Sequence, residues 1–135
     1  MTGRPLPVIE DPDTGGFFAA AARHELVVRT CLSCRTVLQP PRAHCGACGS
    51  WDTDWRQLPG TGRVVSWVVA RHTVHPAFPA PYTVLLVELD GAEGARLVGH
   101  LEGAPDLYDG APVRVRWEHL ADDTVLPQWE LEGET

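Results

Sequence analysis

Cys31-Leu-Ser-Cys34, ten intervening residues, then Cys45-Gly-Ala-Cys48 is the stretch that decides how this chain folds. All four cysteines of the protein fall within it. A C-x2-C pair sets two thiolates on one tight turn, and two such turns facing each other complete the tetrahedral four-sulfur shell that structural zinc prefers. The spacing therefore predicts a zinc ribbon with Cys31, Cys34, Cys45 and Cys48 as ligands. Four thiolates also close the shell to water, so Zn2+ here is structural and activates no substrate. Gly49 directly follows the last cysteine and lets the backbone turn, and Arg35 takes the corresponding place after the first hook. His44, just before Cys45, reads as a bystander. The alternatives are two disulfides or a redox-active C-x2-C. Disulfides need an oxidising compartment, and residues 1–14 are polar and proline-rich without the apolar core of a secretory signal. Redox chemistry leaves the other hook unexplained. Metal binding would supply folding free energy on the order of 10 kcal/mol to a stretch too short for a core of its own.

Working outward, the 135 residues suffice for one sizeable core, with the ribbon as a metal-held appendage. The longest apolar runs, residues 17–22 and 84–87, fall far short of a membrane span, so a soluble, cytoplasmic protein is expected. The net charge of −7 is unevenly spread: eleven arginines and no lysine, with seven arginines against three acids over residues 23–71. From His72 onward three arginines face twelve acids. A local arginine cluster on an acidic chain suits a small phosphorylated ligand, or one matching partner surface, better than a long polyphosphate backbone.

In chain order, residues 1–13 form an arm with three prolines, a linker or docking strap. Thr14 can cap a helix over 15–24 with Phe17, Phe18, Ala21 and Ala22 as its apolar stripe. Residues 26–30 lead as a strand into the first hook, and 36–39 form the middle of the ribbon. Trp51 and Trp55 are expected to cover its apolar side. Beyond Leu58-Pro-Gly60-Thr-Gly62 the pattern changes to short strands over 63–74, 82–89, 95–101, 113–117 and 125–131, divided by Asp90-Gly91, Asp109-Gly110 and Asp122-Asp123. Five strands with a long first one suit a small Greek-key barrel of the OB type, though another small barrel would space its strands similarly. The fold class is mostly β, divided into an arm and helix over 1–25, a ribbon over 26–58 and a barrel over 59–135.

The ordered motifs Leu26-Val-Val-Arg-Thr-Cys31, Gln39-Pro-Pro-Arg42, the second hook with Gly49-Ser50, Gly60-Thr-Gly-Arg-Val-Val-Ser-Trp67, His75-Pro-Ala-Phe78, Pro81-Tyr82 and Val87-Glu-Leu89 carry a family resemblance. Over residues 17–131 the chain resembles the DUF35 family of zinc-ribbon plus OB-fold proteins. The resemblance implies a rubredoxin-like ribbon fused to an OB barrel. It also implies an accessory subunit of thiolase-fold enzymes that handle acyl-CoA thioesters, among them thiolases, hydroxymethylglutaryl-CoA synthases and thiolase-like aldolases that shorten steroid side chains.

The residues agree with an accessory role. With every cysteine committed to zinc no thiol remains as a nucleophile, and no serine lies beside an evident histidine base. His72, His75 and His100 are surface or core fillers more readily than an acid–base set. Coenzyme A presents phosphates and a long arm, so Arg29, Arg35, Arg42, Arg63 and Arg71, in or around the ribbon, are candidates to bind the nucleotide end of acyl-CoA. The stiff loop from His75 to Pro81, which displays Phe78, is with Tyr82 the candidate contact for a partner enzyme. A two-plus-two assembly would follow from a dimeric partner. Two other classes stay open: a single-stranded nucleic-acid module, opposed by the acidic barrel, and a stand-alone thioester-processing enzyme.

Overall fold

The computed structural model describes residues 4–132; the outermost parts of the expected arm and barrel, residues 1–3 and 133–135, lie outside the described residues. The arm leads into helix α1 (Gly15–Ala22). Thr14 is its N-cap, but its hydroxyl turns back to the Asp11 carboxylate, which also accepts the N–H groups of Asp13 and Thr14 at 2.9 and 2.8 Å. The helix stops two residues short of the expected end. Its buried side is Phe17, Ala20 and Ala21, whereas Ala22 is exposed.

Strands β1 (Val27–Cys31), β2 (Val37–Leu38) and β3 (Thr53–Gln57) make an antiparallel sheet in the order β2-β1-β3. The third strand, absent from the sequence reading, is created by its pairing partner: Arg29 lies opposite both Leu38 and Trp55. Of the two tryptophans expected to cover the ribbon, Trp55 packs against the main core but Trp51 is 73% exposed.

Strands β4 (Thr61–Ala70), β5 (Tyr82–Leu89), β6 (Arg96–Glu102), β7 (Pro112–His119) and β8 (Val125–Leu131) form the second sheet in the order β6-β5-β4-β7-β8, every neighbour antiparallel. The first strand ends four residues before the expected boundary. A register shift between Val64 and Ser66 reverses its alternation, so Trp67 and Val69 pair with buried Leu85 and Thr83 while Val68 turns outward. The sheet curls until its edges β6 and β8 meet. Side chains make this seam: Gln128 Oε1 accepts the His100 N–H at 2.9 Å, and the fully buried Trp129 indole fills the space left by Gly99.

One apolar core runs through all three parts. Phe17 and Ala20 of the helix, Leu26 to Val28 of the ribbon, and Val64, Leu85, Val87, Val113 and Trp129 of the barrel belong to the same buried cluster. A small second cluster, Cys31, Leu38 and Cys45, closes the metal end. No helix among the described residues is long and apolar enough to cross a membrane.

Candidate metal centre and ligand groove

The two hooks are built alike. Arg35 N–H donates to Cys31 O and Gly49 N–H to Cys45 O, each at 2.9 Å, while Cys31 and Cys45 N–H donate to Thr36 O and Ser50 O, again at 2.9 Å. The residue after each hook therefore takes a left-handed backbone, with φ +66° at Arg35 and +83° at Gly49. Ser33 Oγ donates to Ser50 Oγ at 2.9 Å and joins the hooks.

The four sulfurs lie within 4.8 Å of one another, with Cys31–Cys48 and Cys34–Cys45 at 3.6 Å. A tetrahedral zinc with Zn–S bonds of about 2.3 Å requires S···S edges of roughly 3.8 Å, so the two short pairs already match the ion and the set need only draw in along its longer edges. It is also too wide for disulfides, whose sulfurs lie about 2.05 Å apart.

The electrostatics point the same way. Hydrogen bonds from the Thr36 hydroxyl and N–H hold the Cys34 thiol down to about 6. The Ser50 N–H favours a Cys48 thiolate, but the Cys31 sulfur, burial, and the Cys34 and Cys45 sulfurs together outweigh it and push Cys48 up to about 12. Four thiolates cannot share this volume without a cation. Cys31 and Cys45 are buried and Cys34 and Cys48 exposed, so the centre sits just under the surface. His44 stays outside it, its Nε2 3.0 Å from Gly49 O and its ring packed on Trp51.

The five candidate arginines do not converge. Arg29 is committed internally: Nε donates to Thr53 Oγ1 at 2.9 Å, Nη1 to Pro12 O at 2.8 Å and Asp13 O at 3.0 Å, and the guanidinium lies 5.0 Å from the Trp55 ring centre. It straps the arm to the ribbon, a duty helped by Ala43 N–H donating to the Asp13 carboxylate at 2.8 Å. Arg63 donates to Gly110 O at 3.1 Å near the start of β4, and Arg71 follows the end of β4, roughly 25 Å away at about 3.3 Å per strand residue. One diphosphate cannot engage both. Arg35 and Arg42 are exposed, on the first hook and just ahead of the second.

His75, Phe78 and Tyr82 are brought together, though not as a protruding loop. Ala77 N–H donates to His75 Nδ1 at 3.0 Å and curls the loop back onto the barrel. Phe78 lies half-buried near Tyr82 and His100, with ring centres 6.4 and 6.5 Å away, and the Arg4 guanidinium covers it at 4.9 Å.

The feature that sequence reasoning missed is a groove of about 560 Å³ where the three parts meet. Phe17 and Phe18 of the helix, Pro40 and Pro41 of the ribbon, and Leu86 and Val98 of the barrel give it apolar walls. Arg96 stands in the same lining. Gln39 ties ribbon to barrel, its Nε2 donating to Arg96 O at 3.3 Å, and its enclosed Oε1 finds no donor among the described residues. Only the Gln-Pro-Pro-Arg motif signalled this place in the sequence.

Comparison with known proteins bears on this arrangement. Residues 18–53 match the model of the ChsH2 rubredoxin-like zinc ribbon domain, and residues 55–118 match that of the ChsH2 C-terminal OB-fold domain. A solved structure described as an Ltp2-ChsH2(DUF35) aldolase superposes with a TM-score of 0.82 at 39% identity, over 95% of this chain and 98% of that one. The chain belongs to the ChsH2 (DUF35) family.

Within this ChsH2 fold all four cysteines lie in the ribbon match, and the groove is walled from both matched regions. A DUF35 protein of unknown function from Sulfolobus solfataricus shares the fold, with a TM-score of 0.59 at 17% identity over 77% of each chain. A probable enoyl-CoA hydratase alpha subunit of Thermomonospora curvata is 44% identical over 126 residues, which is 92% of this chain. The ChsH2-like chain spans 39% of that subunit's length.

Proposed function

We propose that this chain is a non-catalytic accessory subunit that docks on a thiolase-fold enzyme in the cytoplasm and helps hold its acyl-CoA substrate. The carrying observation is likeness over nearly the whole chain to the DUF35 subunit of an aldolase complex. The site supports the reading, because thiols gathered into one tetrahedral set are withheld from nucleophilic chemistry. Zinc, when bound, supplies crosslinking of the two hooks and no reaction step. The bond-making groups then belong to the partner, and a dimeric partner makes a two-plus-two complex the natural assembly.

The groove suits the pantetheine arm of a coenzyme A thioester, which alternates apolar segments with amides. Phe17, Phe18, Pro40 and Pro41 offer walls for the apolar segments and Arg96 of the same lining positive charge for the phosphates, with exposed Arg42 following Pro41 just outside it. Arg96 joins the candidate set here, and Arg29 drops to a positioning role. Docking is best served by the outer face of β4–β6. There Ser66, Leu86 and Val98 form one row and Val68, Val84 and His100 the next, with Val68 62% and Val98 59% exposed. Exposed Val68 and Val98 flanking Leu86 and Val84 make an apolar patch of the kind that marks a contact surface.

Affinity purification of the tagged chain from its host should recover a thiolase-fold enzyme in stoichiometric amount, and Val68→Asp with Val98→Asp should lose it. Arg42→Ala and Arg96→Ala should each weaken acyl-CoA binding by the complex about tenfold, the worth of one charge-assisted hydrogen bond. Recovery of the chain alone, or with nucleic acid, would overturn the accessory reading. Unchanged affinity in both arginine variants would move the ligand out of the groove.

A further inference from the structure

Arg4 reaches across the molecule to a pocket that it only partly fills. Its Nη1 donates to Glu118 Oε2 at 2.6 Å, and its guanidinium lies over the Phe78 ring. Glu118 is fixed from behind, its Oε1 accepting from Gln128 Nε2 at 3.0 Å, while Gln128 also accepts the His100 N–H. The Tyr82 and His100 rings lie 5.4 Å apart, tilted by 36°, and form a second aromatic wall, and Glu102 brings another carboxylate to the rim. About 370 Å³ stays open beside the guanidinium, and His100 Nδ1 is enclosed without a partner among the described residues.

Flat aromatic walls around a rigidly held carboxylate are what a guanidinium needs: ring faces attract its charge and the carboxylate takes its N–H groups. An ammonium lacks the planar surface that stacks. Arg4 is moreover a loosely tethered occupant. Toward the ribbon, the arm is next gripped at Pro12 and Asp13, and between these points Leu6 and Val8 are 39% and 75% exposed. An arm eight residues long presents its side chain at an effective concentration in the millimolar range, which a better-placed competitor can beat.

We propose that the Phe78–Tyr82–His100–Glu118 cage is a receptor site for an arginine side chain, filled in the free chain by Arg4 and taken by an arginine of the docked partner when the arm lifts. The outer face of β4–β6 continues from the Val84–His100 pair to Tyr82 and Glu102, so the cage adjoins the docking surface. Only the identity of the partner rests on the accessory-subunit reading; the cage itself is a property of this chain.

The test uses the full zinc-loaded chain and two probes, N-acetyl-arginine amide and N-acetyl-lysine amide, at matched ionic strength. Amide chemical shifts of Tyr82, His100 and Glu118 report the cage, and those of Leu6 and Val8 report the arm. The Arg4→Ala chain should bind the arginine probe about tenfold more tightly than the wild type, because the tethered competitor is gone. The lysine probe should bind at least several-fold more weakly, and Glu118→Gln in the Arg4→Ala background should remove the response. In the wild type the arginine probe should shift the Leu6 and Val8 amides as the arm is displaced. Equal response to both probes, no gain in Arg4→Ala, or shifts confined to other residues would refute the cage. Once a partner is recovered, Glu118→Gln alone should weaken its retention. Undiminished retention, with the cage shown to bind the arginine probe, would refute the exchange while leaving the accessory reading intact.

Discussion

Adjacent glycines at the start of α1 give a test in which local propensity and tertiary packing disagree in sign. In a helix interior Gly→Ala is worth up to about 1 kcal/mol of stabilisation. At Gly15 an added Cβ would meet nothing closer than Ile9 O at 3.5 Å, so Gly15→Ala should gain a fraction of that. At Gly16 the Cβ would come within 2.8 Å of Trp55 Cζ2 and nearer still to Nε1 and Cε2. The indole must move, and it is held by core packing on one side and Arg29 on the other.

Overpacking of this kind costs about 1–3 kcal/mol, and disturbing the Arg29 stack adds about 0.5–1 kcal/mol. Against the propensity gain, the net loss is about 1–3 kcal/mol, a fall in Tm of roughly 3–10 °C for a chain of this size. Calorimetry on the two variants measures it. Because Arg29 also holds the Pro12 and Asp13 carbonyls, amide exchange in the arm should quicken in Gly16→Ala only. A rise in Tm for both variants would refute the claim that Trp55 wedges the helix against the ribbon.

Cys48→Ser should reduce bound zinc, measured by atomic absorption, well below one per chain and cost folding free energy on the order of 10 kcal/mol, enough to unfold the ribbon; full folding without metal would remove the structural-zinc reading. Arg35→Gly should hold or raise Tm by up to about 4 °C, since it relieves roughly 1 kcal/mol of left-handed strain, partly offset by a looser unfolded chain. A drop of several degrees would show that the guanidinium makes a stabilising contact. For acid release of the arm, burial alone would raise the Glu118 carboxyl, but the Arg4 and Gln128 hydrogen bonds outweigh it and hold it below its ordinary 4.5. Its contribution is therefore full above pH 4.5 and lost as pH falls through the lower folded value. Leu6 and Val8 amides should shift in that range in the wild type and show no such step in Glu118→Gln.

What the sequence disclosed and what it withheld divide along the range of the interactions. Both hooks were legible because two thiolates on one tight turn are a local demand. Strands β5 and β8 keep the expected boundaries because turn residues bracket them: Gly91 after β5 adopts a left-handed φ of +91°, and Asp122 and Asp123 before β8 adopt +57° and +58°. Strand β3 was invisible because its Thr-Asp-Trp-Arg-Gln sequence alternates weakly and is a strand only against β1. The bulge in β4 hid which side Trp67 faces, and that tryptophan keeps 39% exposure instead of joining the core. Arg29 looked like a ligand-binding charge because its carbonyl acceptors lie some sixteen residues earlier. The groove brings Phe17, Gln39 and Arg96 together through tertiary packing alone, and Phe78 appeared displayed because the arginine that covers it is more than seventy residues away.

The metal's influence reaches beyond the hooks through β1 and β2. Strand β1 carries the ligand Cys31 at one end and Val27 and Val28, buried in the main core, at the other. Beside it β2 ends at Leu38, which packs with Cys31 and Cys45, and the next residues are Gln39, Pro40 and Pro41, a wall of the groove. The barrel needs none of this to keep its own ladders, since β4 to β8 pair only among themselves. Removing zinc therefore releases Leu38 and the groove wall first, while the core around Trp129 keeps the barrel closed. The order matters for function: a chain stripped of metal should lose the groove as a ligand slot before it loses its fold, so the ion's structural work is to hold Gln39 and the two prolines against Arg96.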